Sequence, residues 1–350
     1  MRVPLALRLA AGAACALVAL ELGFRALSRP LGLDLERLAR FRAFVASGGE
    51  TTQFAAHPHV VYTRTPADPS VNALGFLDRE FVREKPAGVL RIACLGSSTT
   101  EGGNSAQREG SYPHFLAGFL EQRSARTVET LNFGVAGWTT AETLVNYFLV
   151  VQDFAPDVVL IHEAVNDVEP RAWPGFASDY SHYRRPWHDV RFSAVFKLLV
   201  RASDAFAAAQ MRRVEAFGLG AAVNRPAEGR YQFDGGRLPP ETAAPFRRNV
   251  RTIAEHVRLR GGTPVLITMP YDPERARDAP VFHVGLDEHN ALLRELARAD
   301  GYLLVDLDDM ARRRPDALRG RFLDLVHVTP EGNRFKAEAI ADALLAAKLI

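Results

Sequence analysis

After Gly88 the chain repeats one pattern: a short, nearly continuous apolar run rich in β-branched residues, then a stretch with helical spacing. The runs are approximately Leu90 to Leu95, Val128 to Phe133, Asp157 to Ile161, Pro264 to Thr268 and Tyr302 to Leu307. A strand with one wet face alternates apolar and polar residues, so runs without alternation suit strands covered on both faces. Helical patterns lie between them, near Tyr112 to Gln122, Thr140 to Val151, Ala244 to Arg260 and Asp287 to Ala299. The sequence therefore predicts an α/β fold with a doubly wound, parallel, five-stranded sheet.

The closing helix carries its own start signal, with Thr329 as N-cap, Pro330 at the first helical position and Glu331 in the first turn. The stretch from about 168 to 240 is too long for a simple connection. Ser193 to Phe217 within it has amphipathic spacing, so a helical insertion is expected there. Residues 31–88 carry turn chemistry at Pro66 to Pro69 and Asn72 to Gly75 and read as a connector packing on a catalytic domain over 89–350.

Residues 1–30 read as a membrane segment. Arg2 and Arg8 precede an uncharged run from Leu9 to Leu20, and Glu21, Arg25 and Arg29 follow. Including Val3 to Leu7 and Leu22 to Leu27 reaches the ~20 residues of a spanning helix, with Arg8 and Glu21 near the interfaces. Ala26 and Ser28 satisfy the small-residue rule for signal cleavage, but the internal charges and Pro30 oppose it, which favours an uncleaved anchor over secretion. Arginines flank both ends, so charge alone leaves orientation open.

Composition excludes several classes. The chain is 47% hydrophobic and 24% charged with a formal charge of +2, which is globular and without the electrostatic footprint of a nucleic-acid binder. Cys15 and Cys94 stand far apart with no evident pairing. The histidines are scattered, and His57 and His59 have no third ligand at useful spacing, so no metal is expected. Arg184, Arg185 and Arg312 to Arg314 read as solvated surface.

In an open parallel sheet, ligands bind beyond the carboxyl ends of the strands. Polar clusters fall there. Gly96 to Gly103 follows the first run, Asn132 to Thr139 the second, His162 to Asp167 the third, and Asp324 to His327 precedes the last helix. Together they contain what acyl transfer by a serine requires. Ser98 is the expected nucleophile, His327 the general base, and Asp324 the carboxylate that fixes the imidazole tautomer. The backbone amides of Ser98 and Gly137 and the side-chain amide of Asn166 are the expected oxyanion donors, with Gly134 a close rival to Gly137. His162 and Glu163 stand near the rim, either to touch substrate or to finish a strand.

Gly96-Ser97-Ser98-Thr99-Thr100-Glu101-Gly102 resembles the first block of the SGNH (GDSL-like) hydrolase family, Gly137 the second, Ala164-Val165-Asn166-Asp167 the third and Asp324 to His327 the fifth. The blocks stand in family order over about Val89 to Ile350. Ser97 replaces the aspartate of the GDS pattern, and Ala164 replaces the glycine usual before the oxyanion asparagine. Asn72-Ala73-Leu74-Gly75-Phe76 is similar to a segment of bacterial membrane-anchored members, with Leu77 where those often carry arginine. The resemblance implies a flavodoxin-like sheet, esterase, lipase or carbohydrate deacetylase activity, and no cofactor or metal. With the N-terminal segment, the expected function is an extracytoplasmic serine esterase acting on O-acyl groups of a cell-envelope carbohydrate or on a small acyl ester. A polysaccharide O-acyltransferase and a catalytically silent glycan-binding protein are the alternatives. A phosphate cradle at Gly96 to Gly103 lacks the P-loop lysine.

Overall fold

The computed structural model describes residues 35–46, 53–66, 68–102, 108–184, 193–213 and 231–350, with scattered positions between 4 and 27. It divides into two compact units, Met1–Ala56 with Arg185–Arg225, and His57–Arg184 with Pro226–Ile350. Residues 57–88, read as a connector, thus fall in the sheet-bearing unit.

The strands of the sheet are β1 (Leu90–Gly96), β2 (Val128–Gly134), β3 (Val158–His162), β4 (Thr263–Ile267) and β5 (Leu303–Val305). The helices used below are α1 (Leu35–Ala46), α2 (Ser98–Glu101), α3 (Tyr112–Arg123), α4 (Thr140–Leu149), α5 (Val168–Ala172), α6 (Ala194–Ala202), α7 (Asp204–Arg213), α8 (Ala244–Leu259), α9 (Pro280–Asp300), α10 (Leu307–Arg313) and α11 (Pro330–Ala346).

The sheet is parallel throughout, in the order β2-β1-β3-β4-β5. That is the flavodoxin-like order, whose switch point lies between β1 and β3. Both faces are covered. Ile92, Cys94, Leu160, Val265, Ile267 and Val305 form one core with Leu116 and Leu120 of α3 and Ile340 and Leu344 of α11. On the other face α8 packs on β4 and against α4 and α9. This double coverage explains why β1 and β3 show no polar alternation.

The five predicted strands and the helices near Tyr112, Thr140 and Ala244 lie within a residue or two of those observed, whereas α9 begins seven residues earlier. The helical stretch expected over Ser193 to Phe217 is broken at Ser203 into α6 and α7, with 214–217 outside the described residues, and α1, α2, α5 and α10 are new. Gly285 interrupts the apolar spacing of α9 in the sequence. In the fold a Cβ there would collide with the Val168 side chain, so glycine permits close approach of α9 to α5. α10 is a short helix capped by Asp306, whose side chain accepts the Asp309 amide.

Below the sheet, Arg91 is fully buried and donates to Glu129 Oε2 at 2.7 Å, to Phe154 O at 2.7 Å and to the carbonyls of Val82 and Arg83 at 3.0 Å. These bonds tie the segment before β1 to the amino end of the sheet, opposite the polar rim.

The other unit contains α1, α6 and α7. Arg42 Nε of α1 donates to Val200 O at 3.0 Å, and its guanidinium pairs with Asp204. Among the described residues no helix is long and apolar enough to cross a membrane. Most of the segment 1–30, read as an anchor, lies outside the described residues. Cys15 and Cys94 are both free.

Candidate active site

β1 runs straight into α2, with Ser97 between them, and Ser98 is the first residue of that single turn. From Leu90 to Gly102 every residue is buried except Ser98, so the turn presents one side chain to the rim. The turn is held from three sides. Asn132 Nδ2 donates to Thr100 O at 3.2 Å and Glu101 O at 3.1 Å, and Arg64 grips the buried Glu101 carboxylate with two bonds of 2.7 Å. Lys336 of α11, also buried, donates from Nζ to Thr99 O at 2.9 Å.

Asp324 and His327 share one loop before α11. Asp324 Oδ1 accepts the amides of Val326 at 3.0 Å and His327 at 2.9 Å, a side-chain turn that folds the loop back on itself. That turn brings Asp324 Oδ2 to 2.6 Å from His327 Nδ1, and His327 Nε2 lies 2.7 Å from Ser98 Oγ. Burial opposes ionisation of Asp324, but hydrogen bonds from the His327 side chain and backbone hold its carboxyl down at about 2. A carboxylate on Nδ1 selects the tautomer with the proton there, which leaves the Nε2 lone pair to accept from the serine hydroxyl.

The second loop, Ala136 to Trp138, is fixed by its carbonyls. Ala136 O accepts from Tyr62 Oη at 3.0 Å, Gly137 O from Arg184 Nη2 at 3.0 Å, and Trp138 O from Asn166 Nδ2 at 2.8 Å. Gly137 has φ +78, a conformation open to glycine at little cost. Among the described residues the amides of Ser98 and Gly137 have no hydrogen-bond partner. The Gly134 amide, by contrast, donates to Asn132 Oδ1 at 3.0 Å, and Gly134 is buried where a Cβ would strike the Glu101 amide nitrogen. Gly134 thus serves close packing against α2, and Gly137 is the glycine with a free donor.

Asn166 follows β3 and keeps one amide hydrogen beyond the bond to Trp138. Ala164, where glycine is usual, does not lie in the left-handed region, so its backbone conformation does not call for glycine. Its carbonyl meets Nδ1 of buried His289 at 2.8 Å, and that ring stacks on Phe246 at 4.0 Å. The loops also touch directly: Ala164 and Val165 pack with Leu325 and Val326, and the Ala136 amide donates to Glu101 Oε1 at 3.3 Å.

Several residues differ from their reading in the sequence. Arg184 is not solvated surface. Its side chain is 9% exposed and pairs with Glu142 at 2.7 Å. Sequence periodicity cannot reveal this, because residues 181–183 form a turn, which has no repeating face to read. Of the two readings given to His162 and Glu163, burial fits the strand-finishing one: His162 is the last residue of β3, Glu163 follows it, and both are fully buried. Burial pushes the Glu163 carboxyl well up, and nearby Asp167 adds to the effect. Burial likewise raises Asp167 to about 6, against hydrogen bonds from Thr140 and Tyr180. Among the described residues no cluster of histidine, cysteine or carboxylate could hold a metal ion.

The model of the GDSL-like lipase/acylhydrolase family matches residues 94–335. The chain belongs to that family. It is a serine carboxylic ester hydrolase. Among solved structures, this acylhydrolase is similar to a catalytic mutant of an acetylxylan esterase from Geobacillus stearothermophilus, with 13% identity, 75% of this chain and 96% of that chain covered, and a TM-score of 0.46. It is also similar to an acetyl xylan esterase at 17% identity, covering 73% and 100% of the two chains with a TM-score of 0.46. A third likeness is to an α/β hydrolase enzyme from the metagenome of Lake Arreo, Spain, at 18% identity, with 75% and 97% covered and a TM-score of 0.46. A comparison of the acylhydrolase with curated proteins found no match.

Proposed function

We propose that the hydrolase cleaves O-acyl esters through an acyl-enzyme on Ser98. Ser98 Oγ attacks the ester carbonyl while its proton passes to His327 Nε2, and Asp324 stabilises the imidazolium. The tetrahedral oxyanion is held by the amides of Ser98 and Gly137 and by Asn166 Nδ2. Collapse breaks the bond to the alcohol oxygen, which takes the proton from His327. Water then repeats the cycle on the acyl-serine and releases the carboxylic acid.

The observation that carries this reading is the row Asp324 Oδ2, His327, Ser98 Oγ, with both contacts at hydrogen-bond distance, 2.6 and 2.7 Å. The substrate class we propose is an O-acylated carbohydrate of the cell envelope or a small acyl ester. The apolar N-terminal run supports it: residues 1–30, as an uncleaved anchor, would hold the enzyme at a membrane, and the extracytoplasmic face is the side on which envelope carbohydrate lies. Covalent labelling by a fluorophosphonate tests the chemistry. Labelling is expected in the wild type and absent in Ser98→Ala, and wild-type protein that never labels would overturn it. Acid release from O-acetylated envelope polysaccharide, compared with simple esters of rising chain length, tests the substrate.

A further inference from the structure

Helix α6 turns the wrong side to solvent. Its apolar residues Val195, Leu198, Leu199 and Ala202 stand at i, i+3, i+4 and i+7, the stripe that a surface helix ordinarily buries. Here Val195 is 66% exposed, Leu198 65% and Leu199 42%, while Val200 on the opposite side is buried. Such an outward stripe marks a binding surface.

Its surroundings indicate what it binds. A groove of about 520 Å³ between α1 and α6 is lined by Arg42, Lys197 and Arg201 among Val45, Leu198 and alanines, with no carboxylate in its lining. Arg42 is neutralised by Asp204, but Lys197 and Arg201 have no carboxylate partner among the described residues. An apolar stripe beside unpaired cations is the pattern of a helix lying in a membrane interface, with anionic headgroups on the cations and acyl chains on the stripe.

The same unit also receives the end of the apolar N-terminal run. Glu21, the first charged residue after Leu9 to Leu20, accepts the Asp204 amide at 2.7 Å, the Ala205 amide at 3.2 Å and the Ser203 hydroxyl at 2.7 Å. Val18 and Leu22, on either side of Glu21, are exposed apolar residues as well. One small helical unit thus joins the apolar N-terminal run to a helix with an outward apolar stripe and with Lys197 and Arg201 on its polar side.

We propose that the exposed face of α6 lies in the surface of an anionic phospholipid bilayer, with Lys197 and Arg201 on lipid phosphates. This deepens the anchor reading given above and is independent of the ester chemistry. The N-terminal segment alone would leave the protein on a tether, whereas a second contact fixes the helical unit against the membrane.

The test uses the full chain with Cys15→Ser and Leu198→Cys, labelled at residue 198 with an environment-sensitive fluorophore; the remaining Cys94 is buried. It is reconstituted in vesicles of phosphatidylcholine with phosphatidylglycerol. The emission is expected to shift to the blue and to be quenched by nitroxides on the lipid chains. Both effects should shrink with Lys197→Glu and Arg201→Glu. Water-like emission from vesicle-bound protein would overturn the proposal, as would a blue shift that lipid nitroxides do not quench, the signature of a second copy or another protein on the stripe. Equal signals in vesicles of phosphatidylcholine alone would overturn the anionic-lipid assignment. Failure to bind vesicles at all would remove the anchor reading with it, while ester hydrolysis measured on the same sample reports separately on Ser98.

Discussion

Arg184 holds the carbonyl oxygen of Gly137 at 3.0 Å with the same Nη2 that pairs with Glu142 at 2.7 Å. With Tyr62 on Ala136 O and Asn166 on Trp138 O, three successive peptide planes are locked, and the direction of the Gly137 N–H is set by them. Arg184→Lys keeps a cation beside Glu142 but shortens the reach to Gly137. We expect kcat to fall about tenfold, or about 1.4 kcal/mol of barrier, with KM little changed. Steady-state kinetics on a soluble ester check this, and an unchanged kcat would separate Arg184 from the oxyanion loop.

Asn166→Ala removes both the bond to Trp138 O and the remaining amide donor. Loss of one oxyanion donor lowers kcat by about 10² to 10³. Acyl-enzyme formation measured by stopped flow should slow by that factor while thermal stability changes far less.

The Asp324 carboxyl, held at about 2 although burial opposes it, lies below the ~3.9 of an unfolded aspartate. Its contribution to stability is therefore complete above ~3.9 and is lost as pH falls through about 2. Across pH 8 to 5 the carboxylate therefore stays charged. Asp324→Asn should lower kcat by about 10⁴, since the tautomer is no longer selected.

Lys336 stands buried with Nζ on Thr99 O and over the Tyr112 ring, and burial lowers its pKa to about 7. Below that value lysine is charged in both states and the folded protein bears the whole desolvation penalty. Between about 7 and ~10.4 the folded form is neutral and the unfolded form charged, so stability rises with pH. Urea unfolding of Lys336→Met against wild type should show the difference, variant minus wild type, shrinking from pH 7 to pH 10. A constant difference would mean that Lys336 does not titrate in the fold.

The sequence by itself determined whatever depends on neighbours along the chain. Apolar runs without alternation specified strands covered on both faces, and Thr329 with Pro330 specified the start of α11. Asp324 and His327, three residues apart, could be paired by a local turn. Gly285 hid the first turns of α9, because a glycine that breaks periodicity and one that admits Val168 look alike in sequence. Only the tertiary structure decided the rest. It brought His327 to Ser98 across 229 positions and gave the Gly134 amide to Asn132. It also buried Arg184 against a loop 47 residues away. Periodicity and caps record which way a residue faces within its own element, while the burial of a charge is settled by which distant carboxylate and carbonyl the fold sets beside it.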